Sequence, residues 1–456
     1  MNVGIVGCGY VGLTTGICLS SIGHISHLYD TNHDKLKTIK QKKLPFYELG
    51  LEELLIESLE KGNLKVDKSL DEFIKNTDCC FICVGTPSNS NGTINLQQIE
   101  SSIKSIIKSL KHNNKEKYLL IIRSTVVPST TRDKILPILI EGLGDSFYLA
   151  VVPEFLREGK ALSDFMNPDK IVIGSLDNET NNMVKNIFTY FENKAEFIQT
   201  NLETAEMIKY TNNAFLATLI SFSNEVANIS EEIPGVDPFE IMNALIKDKR
   251  ITTIVNNQKI IPGIAEYLSP GCGFGGSCFP KDVNAIVNFA SSIGAKTPVL
   301  DAVLSVNNER SDRIIALSRV ILSSLNDKKI AVLGLAFKPD TDDMRSSPAI
   351  EVIKKLQAQN SKIYAYDPKV NEQNLHSIGI TGISVTQDIE SCLANADLVI
   401  LLTKWTEFSK IDGEFLKKHM KNPKIIDGRG FLDKSKFEKN TYYKIGLNEK
   451  TNCVHL

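Results

Sequence analysis

The segment Asn2-Val3-Gly4-Ile5-Val6-Gly7-Cys8-Gly9-Tyr10-Val11-Gly12, followed by His27-Leu28-Tyr29-Asp30, decides the fold. A short apolar run ends in Gly7-x-Gly9-x-x-Gly12, and helical spacing follows through Leu13, Ile17 and Leu19. A second apolar run then ends in Asp30, eighteen positions beyond Gly12. The pattern reads strand, tight turn, helix, strand. Glycines let the backbone turn sharply and approach a pyrophosphate, which would sit on the helix N-terminus where N–H groups converge. Asp30 at the second strand end would accept hydrogen bonds from ribose hydroxyls and repel a 2′-phosphate, so NAD rather than NADP is predicted.

Outward from this unit, Cys79–Val84, Tyr118–Arg123, Tyr148–Val152 and Lys170–Gly174 are strand candidates, with amphipathic stretches such as Leu96–Leu110 between them. The alternation predicts βαβ units and a parallel sheet. The second half repeats the plan. Lys329–Leu335 answers the opening strand and turn, Lys362–Asp367 the strand ending at Asp30, Ala396–Leu402 the strand Asp78–Val84, and Pro423–Arg429 the strand Tyr118–Ser124. Between the halves, Glu203–Ile229 holds 27 residues without Gly or Pro, periodic through Ala205, Ile208, Ala214, Phe215, Leu219 and Phe222. That is long for a globular helix and reads as a connector. The expected fold class is α/β, two doubly wound Rossmann-like domains joined by a central helical region with one long helix. The expected divisions are 1–200, 201–320 and 321–456.

The 456 residues carry 52 Lys+Arg against 54 Asp+Glu, a formal net charge of −2, which excludes general attraction to nucleic acid or anionic lipid. No apolar stretch approaches the ~18 residues of a membrane span. The opening lacks the basic region of a signal peptide, and nine scattered cysteines predict reduced thiols in a cytoplasm rather than a disulfide framework.

The most informative chemistry lies in Pro270-Gly271-Cys272-Gly273-Phe274-Gly275-Gly276-Ser277-Cys278-Phe279-Pro280-Lys281-Asp282. A helix is expected to begin near Phe279-Pro280, because proline suits a first helical turn. Cys278 then sits at a helix N-terminus beside Lys281, where a thiolate is stabilised below the free value of ~8.5, with Asp282 four positions on. Cys272 is the competing nucleophile and lacks the helix start. Lys209 and Asn213, four apart in the long helix, share a face suited to holding an oxyanion or a substrate hydroxyl. Pro153-Glu154-Phe155-Leu156-Arg157-Glu158-Gly159 follows a strand, and Glu154 or Glu158 could serve as general base. Ser124-Thr125 and Gly85-Thr86 close two further strands, where loop hydroxyls face the crevice of a doubly wound sheet. The second half lacks a phosphate fingerprint, so Lys338, Arg345 and Arg429 are candidates to bind phosphates through side chains. Cys80-x-x-Cys83 lies in an apolar strand with no second pair, so no metal is expected. Trp405 with Phe408 is expected to be packing.

The motifs GCGYVG (7–12), VGTP (84–87), RSTVVP (123–128), PEFLREGKAL (153–162), EMIKYTNNAFLA (206–217), GFGGSCFPKD (273–282), GLAFKPDTDDMR (334–345) and DGR (427–429) are together highly specific. Through them the chain resembles the nucleotide-sugar 6-dehydrogenases, the UDP-glucose/GDP-mannose dehydrogenase family, over essentially its full length. The resemblance implies NAD-dependent four-electron oxidation of a sugar C6 alcohol to a carboxylate, UDP-glucose to UDP-glucuronate, through a cysteine-bound thiohemiacetal and thioester. It makes Cys278 the nucleophile, Lys209, Asn213 and Asp282 its polar partners, Glu154 the water-activating acid and Thr125 a hydroxyl that holds water.

Cofactor contacts are implied at Gly7, Gly9, Tyr10, Val11, Gly12, Asp30 and Lys35. Others are implied at Thr86, Thr125, Glu158, Lys281 and Arg345. Substrate contacts are implied at Glu154, Phe155, Leu156, Arg157 and Glu158, at Lys209 and Asn213, at Tyr267, Gly275 and Phe279, and at Lys338 and Arg429. The three divisions become an NAD-binding domain, a helical dimerisation domain and a nucleotide-sugar-binding domain, and a homodimer through the long helix is expected. The PEFLREG form is nearer the UDP-glucose and GDP-mannose branches than the N-acetylhexosamine branch. Departures are Pro262 where many members carry Arg, Val152 for the usual Asn, Ser129 for the usual Gly and Lys170 for a common Arg. GDP-mannose or a UDP-N-acetylhexosamine as substrate, a two-electron dehydrogenase and a non-catalytic nucleotide-sugar/NAD sensor are the competing readings.

Overall fold

The computed structural model describes residues 1–448, which form two compact units divided in sequence between Asn212 and Asn213. The first unit is built on β1 (Asn2–Val6), β2 (Ile25–Tyr29), β3 (Leu64–Val66), β4 (Cys79–Ile82), β5 (Tyr118–Ile122), β6 (Phe147–Val151), β7 (Lys170–Ser175) and β8 (Glu196–Thr200). Their spatial order is β3-β2-β1-β4-β5-β6-β7-β8. Every pairing is parallel except β6 with β7. Helices cover both faces, so the central strands are apolar along their whole length. In β5, Leu119 and Ile121 enter one core while Leu120 and Ile122 enter the other.

The second unit carries a hairpin of β9 (Thr253–Val255) and β10 (Gln258–Ile260) and a six-stranded sheet. That sheet consists of β11 (Lys329–Leu333), β12 (Lys362–Tyr366), β13 (Ser384–Val385), β14 (Leu398–Leu401), β15 (Ile425–Asp427) and β16 (Tyr442–Lys444). It is all parallel, in the order β13-β12-β11-β14-β15-β16. The first six strands of the other unit run in the same order, so the chain contains two doubly wound Rossmann-like sheets.

The internal echo extends to single hydrogen bonds. Gly7 (φ +94°) and Gly334 (φ +91°) each end a first strand in the left-handed region that glycine tolerates. Each donates its N–H to the end of the second strand, to Tyr29 O over 2.9 Å and Tyr366 O over 2.8 Å. The acid after the second strand then accepts from the turn, Asp30 from Cys8 N–H and Asp367 from Leu335 N–H, both at 2.7 Å.

The central region is helical, with helices Leu202–Ser230, Pro238–Ile246, Phe279–Ser292 and Pro298–Leu322. The first runs 29 residues. It leaves Phe215, Phe222 and Ile229, seven positions apart, 51%, 47% and 58% exposed. Among the described residues no helix is long and apolar enough to cross a membrane.

Candidate active site

In the first unit the glycine turn closes on itself. A Cβ on Gly12 would lie 1.9 Å from Gly7 O, so only glycine lets the helix Tyr10–Ser21 start so near the strand end. Gly9 has open space around it and φ −75°, so no intramolecular contact explains its missing side chain. Below the turn, Asp30 accepts from Cys8 N–H and Asn32 N–H, and Lys35 Nζ stands 3.8 Å away.

Glu154 and Lys209 are brought together deep in the same unit. Lys209 Nζ donates to Glu154 Oε1 over 2.9 Å, and both side chains are only 5% exposed. Burial alone would push the Glu154 carboxyl up. The Lys209 ammonium, the Leu156 N–H at 2.6 Å and the Arg123 guanidinium outweigh burial and hold it below the ordinary value. Lys170 and Lys209 stand 4.6 and 5.6 Å over the Phe155 ring. Arg157 turns instead to Asp164, with Nη2 to Oδ1 at 2.6 Å and Nε to Oδ2 at 3.0 Å. Thr86 Oγ1 donates to Thr125 O over 2.8 Å, tying two strand-end loops together. Ser129, in place of the usual glycine, adopts φ +67°.

In the second unit Cys278 caps the helix Phe279–Ser292, with Pro280 in its first turn. Of the eight described cysteines it is the one that is not buried. Cys272 is buried with its sulfur 3.7 Å from Leu402 O, and burial pushes its thiol up. The other six are buried in the two sheet cores. Cys80 and Cys83 enter opposite cores. Ser277 Oγ lies 3.5 Å from Cys278 Sγ. One turn into the helix, Asp282 is 1% exposed and accepts from Asn213 Nδ2 over 2.6 Å, while Lys281 pairs with its other oxygen.

The glycine loop ahead of Cys278 is gripped by backbone-directed side chains. Asn224 Oδ1 accepts from Gly271 N–H, Arg310 Nε donates to Gly271 O, and Asn307 Oδ1 accepts from Phe274 N–H. Gly275 is explained internally, since its Cβ would lie 2.3 Å from Ser346 O. The Phe279 ring lies 6.2 Å from Tyr267 and 6.1 Å from Phe274. Arg345 pairs with Asp343, and Lys338 stands 5.6 Å over the Phe337 ring. Arg429 donates to Leu402 O, Gly273 O and Phe337 O. Trp405 packs as expected and also donates to Asp367 over 3.0 Å.

Two buried acids escaped the reading of the sequence. Glu48 accepts from Gly159 N–H, Ala161 N–H and the Tyr10 hydroxyl, joining the glycine-turn helix to the Glu154–Gly159 loop. Glu206, 2% exposed and three positions before Lys209, accepts from Thr131 N–H over 2.9 Å at the end of the Thr125 loop. The capping of the segment after that loop, which runs as a short π-helix over Thr131–Ile135, thus depends on a distant carboxylate.

Three models of one family match the chain in sequence order. The model described as UDP-glucose/GDP-mannose dehydrogenase family, NAD binding domain, matches residues 1–192. The family's central domain matches 203–309 and its UDP binding domain 331–434. The UDP-glucose 6-dehydrogenase YwqF of Bacillus subtilis (strain 168) is 36% identical over 450 residues, 98% of each chain. The UDP-glucose 6-dehydrogenase of Rickettsia bellii is 37% identical, over 98% of this chain and 99% of its own. The structure of a UDP-glucose dehydrogenase from the archaeon Pyrobaculum islandicum superposes with a TM-score of 0.89 at 32% identity, covering 98% of each chain. With three domain models in sequence order and relatives matched end to end, the chain belongs to the UDP-glucose/GDP-mannose dehydrogenase family.

Proposed function

We propose that this protein oxidises UDP-glucose at C6 to UDP-glucuronate with two equivalents of NAD. The relatives' activity and the NAD- and UDP-binding domain models support the reaction. The observation that carries the covalent route is Cys278, a partly exposed cysteine at a helix N-terminus with the buried Asp282 one turn away.

The glycine turn fits a dinucleotide. Gly9 leaves open the space over the N-terminus of Tyr10–Ser21, and Asp30 keeps acceptor capacity beyond its two backbone contacts. NAD bound there supplies the hydride acceptor for each two-electron oxidation. In the second unit the Cys278 thiolate adds to the C6 aldehyde, forming an S–C bond and a thiohemiacetal. After the second oxidation the resulting thioester is hydrolysed, water taking the place of sulfur and the thiolate leaving. Asn213 steadies the oxyanions from that unit, and Asp282 orients the water. The first unit holds the groups that the family resemblance assigns to the hydrolytic step, the ionised Glu154 as the base, Thr125 as a hydroxyl and Lys209 as a positive charge.

The proposed division is an NAD-binding domain over 1–200, a helical dimerisation domain over 201–320 and a nucleotide-sugar domain over 321–456. The exposed Phe215, Phe222 and Ile229 support a homodimer through the long helix, and the eight described cysteines, all free thiols, support a cytoplasmic enzyme. Light scattering across micromolar concentrations tests the first; a monomer throughout rejects it.

The decisive experiment counts NADH per sugar acid with UDP-glucose, GDP-mannose and UDP-N-acetylhexosamines side by side. Two NADH per UDP-glucuronate is expected. One NADH per product points to a two-electron dehydrogenase, and binding without turnover points to a sensor. Cys278→Ala should stop acid formation and Cys278→Ser slow it severely. Acid formation by Cys278→Ala at near the parent rate refutes the covalent route.

A further inference from the structure

The second sheet must hold its ligand differently from the first. Its opening turn has a single glycine, Gly334, and the next two amides are already spent, Leu335 N–H and Ala336 N–H both donating to Asp367 Oδ2 at 2.7 and 3.0 Å. No amide cradle remains for a phosphate there, so an anion must be met by side chains.

Two cations rise from the C-terminal ends of neighbouring parallel strands, Lys404 just past β14 and Arg429 just past β15, beside the point where strand order reverses between β11 and β14. Ligands of doubly wound sheets bind at such ends. Lys404 is mostly buried, and burial together with the Arg429 guanidinium pushes its ammonium below the ordinary value. The carboxylate nearby, Asp427, draws the ammonium back up and offsets this only in part. Its Oδ1 accepts from Arg429 N–H, and its Oδ2 accepts from Phe431 N–H, Leu432 N–H and the Tyr442 hydroxyl, so most of its acceptor capacity is committed to its own loop and to β16. The hydrogen bond Lys404 does make is a long one, Nζ to Ser269 Oγ at 3.5 Å, two residues from Tyr267. Arg429 commits three of its five N–H groups to carbonyls, leaving two. Like charges half-sequestered side by side are costly unless an anion joins them.

We propose that Lys404, with Ser269 and the remaining donors of Arg429, forms the phosphate-binding site of the second unit and takes the diphosphate of the nucleotide sugar. This rests on the reading of the substrate as a UDP-sugar, and it adds a residue that neither the motifs nor the resemblance pointed to.

Calorimetric titration of UDP into the full-length parent, Lys404→Gln and Lys404→Arg tests it, with NAD titrated into each as a control on the other unit. Lys404→Gln should bind UDP at least about tenfold more weakly, the scale of a lost charge-assisted contact. Lys404→Arg should restore most of that, and NAD affinity should not change. UDP affinity unchanged in Lys404→Gln overturns the proposal while leaving the UDP-sugar reading intact. Equal losses for UDP and NAD make Lys404 structural and overturn it too. A parent that binds no UDP refutes the functional reading itself.

Discussion

The Lys209 ammonium and the Glu154 carboxylate meet at 2.9 Å with both side chains almost entirely out of water. A buried pair of this kind adds little net stability over an apolar pair, but halving it leaves an uncompensated charge. Lys209→Ala should therefore cost about 3–5 kcal/mol at pH 7. The sign of its pH dependence follows from the carboxyl. In the parent, Glu154 is held below the ordinary value, so the stability it contributes is present above that value and lost as pH falls through the lowered one. Without Lys209, burial dominates and Glu154 takes up a proton on mild acidification, which relieves the variant. Urea unfolding should show the gap between parent and Lys209→Ala narrowing from pH 7 to pH 5. A gap independent of pH would mean that Glu154 does not depend on Lys209 for its charge.

Glu206 has the opposite sign. Burial raises its carboxyl to about 7, against hydrogen bonds from Thr131 and Ser129 that lower it, with Glu203 adding a smaller upward push. The folded state then holds this proton more tightly than the unfolded one, so its contribution favours folding at acid pH and is lost as pH rises from about 4.5 to about 7. Glu206→Gln keeps an acceptor for Thr131 N–H and carries no charge. It should match the parent near pH 5 and exceed it at pH 8 by on the order of 3 kcal/mol. Unfolding at the two pH values measures this, and equal differences at both would reject a buried, proton-linked Glu206.

Both acids show where reading the sequence stops. The central strands were legible because burial on two faces leaves β4 and β5 continuously apolar, and the long helix because nothing between Glu203 and Ile229 breaks it. The strands not anticipated had no such signal. Leu64–Val66 is three residues long around a lysine, and Glu196–Thr200 is only partly buried. Cys278 was legible because its neighbours in sequence, Pro280 and Asp282, are also its neighbours in space. Glu48 was not, since its partners Gly159 and Ala161 lie 111 and 113 positions away and no local pattern marks an acid as buried. Lys209 with Glu154, 55 positions apart, was assigned by role rather than by contact, and only the fold shows the contact.

The glycine turn separates structural from ligand requirements. Gly12→Ala places a Cβ 1.9 Å from a backbone oxygen that cannot move aside without distorting β1, so it should unfold or strongly destabilise the first unit. Gly9→Ala meets no atom within 4 Å at an unstrained φ, so its melting temperature should stay close to the parent's. A bound pyrophosphate would nevertheless meet the new methyl group. NAD affinity should fall about tenfold or more in Gly9→Ala, measured by calorimetry, while UDP affinity holds. Unchanged NAD affinity in a folded Gly9→Ala variant would remove the pyrophosphate from this turn.

The competing cysteines can be told apart by reactivity and then by activity. The thiolate is the reactive form, and it needs both access and a stabilising environment. Cys272 lacks access, and burial pushes its thiol up despite the nearby Arg429 and Arg310. Cys278 has partial access and the N-terminus of Phe279–Ser292 beneath it. Brief treatment of the native protein with limiting iodoacetamide at pH 7.5, read by peptide mass mapping, should therefore modify Cys278 ahead of the other seven described cysteines; Cys453 lies outside the described residues. Loss of UDP-glucose oxidation should track the Cys278 adduct one for one. Cys272→Ser should be labelled at the same rate as the parent and keep its turnover. Labelling that reaches Cys272 first, or inactivation out of step with the Cys278 adduct, would move the nucleophile away from the helix start on which the covalent route depends.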